Sequence, residues 1–419
     1  MNSPVQLNER IGSLDFIRGI AILGILAMNI AHFSYPFFGA FNPYVYGFDS
    51  ETDSLVRFLT YVFFDQKMMG LFTILFGAGF YLFIDRLDKK QLGLKVIDIY
   101  TKRLLWLFIF GVIHAYFIWP GDVLYHYAIL AFFLFPFRTW KVKNLIYLVV
   151  FLLIIQLSNS LIIHNRTVNQ YKEYRTSLAI QGDERVAKDS TIIKAWEKRV
   201  ILKTKEDYEK ETALRKGNYI DNFKANTSFQ EVHKGKLFYS SILFRNLMMM
   251  IIGLIFIKTG VFSNYKIWRY YWPFTIVAML LGIGLCATYS YYDTYLYTMP
   301  VRPLAGVLSL RVGPMVLSIG YLLLFNGLFQ KFFARLKFRP FSSVGKMAFT
   351  NYIMQSVICV IVFFGFGFNH FDQYNRTELW IIVIAIWVFQ IILSLLWLKN
   401  HKYGPLEWLW RRLTYGKQV

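Results

Sequence analysis

Apolar runs of about 16 to 25 residues recur along the chain between short polar stretches, and that alternation predicts membrane-crossing helices. Ten such runs stand at roughly 14–35, 66–84, 104–119, 123–136, 144–163, 242–262, 272–290, 304–329, 348–368 and 379–398. The third and fourth are short, and Ser54 to Phe64 predicts an extra interfacial helix leading into the second. From His164 to Ser240 no membrane-length run occurs. There Ile192, Ile193, Trp196, Val200 and Ile201 recur at helical spacing and predict a polar helical insertion. The expected fold is an all-α polytopic membrane protein with about ten transmembrane helices. It divides into a five-helix membrane half (1–163), an extracytoplasmic insertion (164–240), a second five-helix half (241–398) and a C-terminal tail (399–419).

Composition agrees: 56% of the 419 residues are hydrophobic and 19% aromatic, with a net charge of +21. The short loops carry that charge on one side, from Arg86, Lys89 and Lys90 through Arg138 and Lys141 to Arg411 and Arg412. The positive-inside rule then puts both termini in the cytoplasm. Basic loops facing a bilayer explain the excess without a nucleic-acid partner. Asp15 and Arg18 enter the first run, which reads as a retained helix rather than a removed signal peptide. Cys286 and Cys359 lie inside apolar runs without metal-ligand spacing, so no metal is expected.

Chemistry concentrates between Leu104 and Tyr127, where an apolar helix carries His114 and a Trp119-Pro120-Gly121-Asp122 turn follows, then His126. An imidazole in a membrane-length helix with a carboxylate at its exit is costly in hydrocarbon and suits a general base. Asn29, Arg245 and Arg311 join this outer group, with Asp122 the most economical counter-ion for Arg311. An inner group collects Arg18, Lys102, Arg103, Lys346 and Asn351, followed by an amphipathic run from Gly404 to Arg412. Those cations suit the phosphates of a cytoplasmic donor. Plainer readings stand beside these: interfacial histidines, a structural arginine, a C-terminal anchor, and Gly77 and Gly79 for close helix packing. No phosphate-loop or dinucleotide glycine fingerprint and no nucleophile elbow occurs.

Several motifs in order carry a resemblance: LDFIRGIAILGI from Leu14 with Asn29, LFGAGF from Leu75, GVIH from Gly111 with Gly121-Asp122, GKMAFTNY from Gly345, and GPLEWLWRRLTY from Gly404. On these the chain resembles the YeiB-like family of bacterial membrane proteins. That family is distantly similar to transmembrane acyltransferases, which move an acyl group from cytoplasmic acyl-CoA to an acceptor, often a glycan, across the membrane. In the sugar O-acetyltransferase branch a catalytic histidine stands where this chain has Asn29, so His114 is taken as the base, oriented by Asp122. On the acyl-transfer reading the inner group, Arg18, Lys102, Arg103 and Lys346 with Asn351, is expected to bind the donor, and Asn29, Arg311, His126 and Arg245 are expected on the acceptor and oxyanion side. A proton-coupled secondary transporter using His114, Asp122 and Arg311 is the alternative, and a structural membrane protein without substrate is a third.

Overall fold

The computed structural model describes residues 11–37, 39–41, 50–91, 93–180, 187–200, 205–231, 243–297, 299–333 and 339–416; all regular structure among them is helical. The first half comprises α1 (Gly12–Ser34), α2 (Glu51–Phe63), α3 (Lys67–Lys89), α4 (Lys95–Ile113), α5 (Leu124–Leu134) and α6 (Val142–Ala179). Three polar helices follow: α7 (Ala187–Val200), α8 (Lys205–Lys216) and α9 (Tyr219–Phe229). The second half holds α10 (Leu243–Lys258), α11 (Tyr271–Thr294), α12 (Leu304–Leu328), α13 (Pro340–Lys346), α14 (Ala348–Phe363), α15 (Arg376–Asn400) and α16 (Pro405–Tyr415).

Among the described residues six elements are long and apolar enough to cross a membrane, or seven if α13 and α14, bent by 88° at Met347, form one span. The other expected spans fall short for visible reasons. α5 has 11 residues and α10 has 16, while α4 carries Lys95, Asp98, Lys102 and Arg103 along its first half. Large apolar side chains such as Leu280 on α11 and Ile381 on α15 remain exposed, as a lipid-facing surface requires.

α1 runs through the centre, with Ile17, Ala21, Ile22 and Leu26 fully buried. It touches α13 backbone to backbone: a Cβ on Gly19 would lie 1.9 Å from the Phe341 carbonyl, and one on Gly345 would lie 1.8 Å from that of Asp15. Both positions therefore require glycine. The start of α1 thus lies at the end of the bundle occupied by α13. Its far end meets the opposite loops, where Asp372 donates its backbone N–H to the Ser34 carbonyl.

α6 continues unbroken from Val142 to Ala179, so the polarity change at 163/164 falls inside one helix; residues 240 and 241 lie outside those described. The described part of the insertion is helical, and Ile193 and Trp196 are buried, Trp196 against Tyr171 and Tyr174 of α6. Ile201 lies outside the described residues. The helix expected at Ser54–Phe64 is α2, capped by the Ser50 hydroxyl accepting from Asp53 N.

Candidate functional site

A cavity of about 290 Å³ opens at the end of the bundle where α1 begins. Five cations line it, Arg18, Arg86, Arg103, Lys346 and Arg411, against two carboxylates, Asp15 and Glu407. Both carboxylates are engaged. Asp15 Oδ1 accepts from Arg18 at 2.9 Å, and Glu407 Oε1 accepts from the Phe349 and Thr350 backbone N–H groups at the start of α14. Arg103 is held flat, 3.8 Å over the Trp410 ring and 4.9 Å over Phe83, while the Trp410 indole donates to the Arg103 carbonyl. The amphipathic α16 therefore forms one wall of a positively charged mouth.

Inward the lining becomes apolar and aromatic, with Phe72, Phe76 and Phe80 from α3 and Leu104 and Leu107 from α4. Lining residue Ile25 stands about 10 Å along α1 from Arg18. At that depth two tyrosines contribute: Tyr127, which shares a hydrogen bond with the Thr73 hydroxyl, and Tyr352. The Tyr352 ring also packs 5.2 Å from the ring of His114.

His114 opens a five-residue π-turn, His114–Ile118, at the end of α4. The turn closes where Trp119 N donates to the His114 carbonyl, and the Trp119 ring stacks 4.1 Å from Phe33. Single π-turns concentrate at functional sites. Asp122 accepts from Leu124 N, fixing the start of α5, and its Oδ2 lies 3.6 Å from His114 Nδ1. Both side chains are essentially without solvent contact. Neither ring nitrogen of His114 has a hydrogen-bond partner among the described residues. The imidazole and carboxylate expected to act together are thus neighbours, one tyrosine ring from the cavity.

The remaining expected residues divide. Arg18, Arg103 and Lys346 line the mouth. Lys102 does not: it points outward and pairs with Asp98 at 2.8 Å, because neighbours on a helix face directions about 100° apart. Asn351 is buried in a packing network, donating to Val344 O and to Ser394 Oγ, while Gln390 donates to its carbonyl. His126 is buried against Tyr125, with ring centroids 3.9 Å apart. Asn29 is half-buried on α1 and does not line the cavity. Arg311 is half-buried and makes no ion pair among the described residues; the Asp122 carboxylate serves His114 and Leu124 N instead.

Arg245 belongs to a separate network near the opposite end. It donates to Gln66, whose amide donates to Asp65; Tyr289 also reaches Asp65 and accepts from Lys67 at 2.9 Å. Nearby, Arg57 of α2 is fully buried and pairs with Asp293 of α11 at 2.5 Å. Arg57 falls within the helix expected at Ser54–Phe64, and the amphipathic pattern of α2 is the sequence signal that turns it inward.

Residues 236–417 match the family described as "Protein of unknown function (DUF418)". "Uncharacterized protein YxaH" of Bacillus subtilis (strain 168) is 30% identical over 98% of this chain and 96% of its own length. "Uncharacterized protein YeiB" of Escherichia coli (strain K12) is 30% identical over 97% of this chain and 96% of its own length. No solved structure matches the chain. With that identity maintained across almost the whole of each relative, the protein belongs to the YeiB-like family.

Proposed function

We propose that this protein is a ten-span acyltransferase of the bacterial cytoplasmic membrane, with both termini in the cytoplasm, that moves an acyl group from acyl-CoA to a glycan-like acceptor on the other side. In this reading α4, α5 and α10 serve as short or charge-bearing spans beside the seven above. The observation that carries the reading is a single cavity with cations at its mouth and a floor beside the His114–Asp122 pair. Arg18, Arg103 and Lys346, joined by Arg86 and Arg411, suit the donor phosphates. The apolar channel suits the arm that carries the thioester inward.

His114, closed off behind the Tyr352 ring, is reached when that ring turns aside; it then takes the proton of the acceptor hydroxyl, whose oxygen forms a bond to the thioester carbonyl carbon. The C–S bond then breaks, and the thiolate leaves with that proton. Asp122, facing Nδ1, orients the ring and leaves Nε2 for the transfer. Tyr352 and Tyr127, rather than Arg311 or Asn29, suit the developing oxyanion. A proton-coupled carrier built on His114, Asp122 and Arg311 fits less well, since no hydrogen bond or ion pair joins Arg311 to the pair among the described residues.

The test is transfer from radiolabelled acyl-CoA by purified protein in proteoliposomes. A loss of about a hundredfold or more in His114→Ala, with donor binding retained, supports the reading. Transfer that survives His114→Ala contradicts it.

A further inference from the structure

The turn from His114 to Asp122 leaves carbonyls that no helix ladder satisfies. One face of the insertion takes them up. Gln230 Nε2 donates to Pro120 O at 3.0 Å and to Ala115 O at 3.4 Å, Asn226 Nδ2 donates to Tyr116 O at 3.1 Å, and the Tyr219 hydroxyl donates to Phe117 O at 3.0 Å. The spacing 219, 226 and 230 puts all three on one helical stripe. Asn226 and Gln230 are buried, and their amides are themselves oriented. Arg215 Nη1 donates to Asn226 Oδ1 at 2.7 Å, and the Tyr125 hydroxyl donates to Gln230 Oε1 at 3.1 Å.

We infer that Asn226 and Gln230 are positioning residues, through which the insertion sets the separation of His114 and Asp122. Only the kinetic arm of this inference rests on the acyl-transfer reading. A general base displaced by about 1 Å loses about a hundredfold in rate. Without those donors the turn relaxes and Asp122 moves from the imidazole. Asp122 and Tyr352 are the ionisable groups against that ring among the described contacts.

The experiment compares wild type with Gln230→Leu and Asn226→Leu by acyl-transfer kinetics and by the NMR resonances of the His114 ring in histidine-labelled full-length protein, assigned with His114→Asn. The expected result is a fall in kcat of about a hundredfold at unchanged KM for acyl-CoA. It is accompanied by displaced His114 ring resonances, because the carboxylate beside Nδ1 moves away. Wild-type transfer with kcat and ring resonances unchanged in the variants overturns the inference. Displaced resonances in the variants of a protein that transfers nothing support the inference and overturn the acyl-transfer reading; neither transfer nor displacement overturns both. Should a leucine variant fail to fold, Gln230→Glu keeps the size, removes the donors at neutral pH and is held to the same outcomes.

Discussion

Tyr352 lines the floor of the cationic cavity and packs its ring 5.2 Å from that of His114. One side chain therefore separates the space suited to a donor from the imidazole suited to act on it. Tyr352→Phe keeps this packing and removes the hydroxyl. It should lower kcat for acyl transfer by about a hundredfold, the usual cost of a lost oxyanion donor, and leave donor affinity unchanged. Equal kcat in the two proteins would remove Tyr352 from the chemistry.

Asp293 neutralises Arg57, whose side chain is 0% exposed. Asp293→Ala should destabilise the protein by about 3–5 kcal/mol, because it strands a buried charge. Arg302 also pairs with Asp293 but is 31% exposed, so Arg302→Ala should cost about 1 kcal/mol or less. Unfolding midpoints in detergent rank the two, and equal losses would contradict the assignment.

The two glycines of LFGAGF part company. A Cβ on Gly77 would lie 2.1 Å from the Met250 carbonyl, whereas one on Gly79 would meet nothing nearer than Arg18 Nη2 at 3.9 Å. Gly77→Ala should cost about 1–3 kcal/mol through overpacking of α3 on α10. Gly79→Ala should be neutral or stabilise by up to about 1 kcal/mol, since alanine is the better helix former. Thermal unfolding of both variants checks the contrast.

Burial lifts the Glu407 carboxyl above its ordinary value of 4.5, against hydrogen bonds from Thr350 and Phe349 that favour the charged form. A carboxyl raised on folding binds its proton more tightly in the native state. Its contribution to stability is full below 4.5 and is lost as pH rises through the raised native value. Relative to Glu407→Gln, wild type should therefore lose stability on going from acid to neutral pH. A constant difference in Tm across that range would contradict this.

The pairing of His114 with Asp122 was legible because one short turn carries both, and Arg18, Arg103 and Lys346 were legible as charge. Tyr127 and Tyr352 were not: among 28 tyrosines in an aromatic-rich chain, nothing distinguishes two that line a cavity. Arg57 and Asp293 stand 236 residues apart, beyond any local pattern. Asn351 and Gln355 do share a helix face, as their spacing requires, but that face meets Gln390 and Ser394 of α15 rather than a donor. The polarity of the insertion signalled solvent exposure and hid the side of α9 that grips the His114 turn.

Whether the cationic mouth receives an acyl-CoA is read by thermal shift and calorimetry of detergent-purified wild type and the Arg18→Ala/Lys346→Ala double variant with acetyl-CoA and longer acyl-CoAs. A ligand that binds the native state raises Tm by mass action. Saturable binding to wild type should weaken by at least about tenfold in the double variant, with the unliganded Tm nearly unchanged. Absence of binding at every chain length, or equal binding by both proteins, would contradict the acyl-CoA reading.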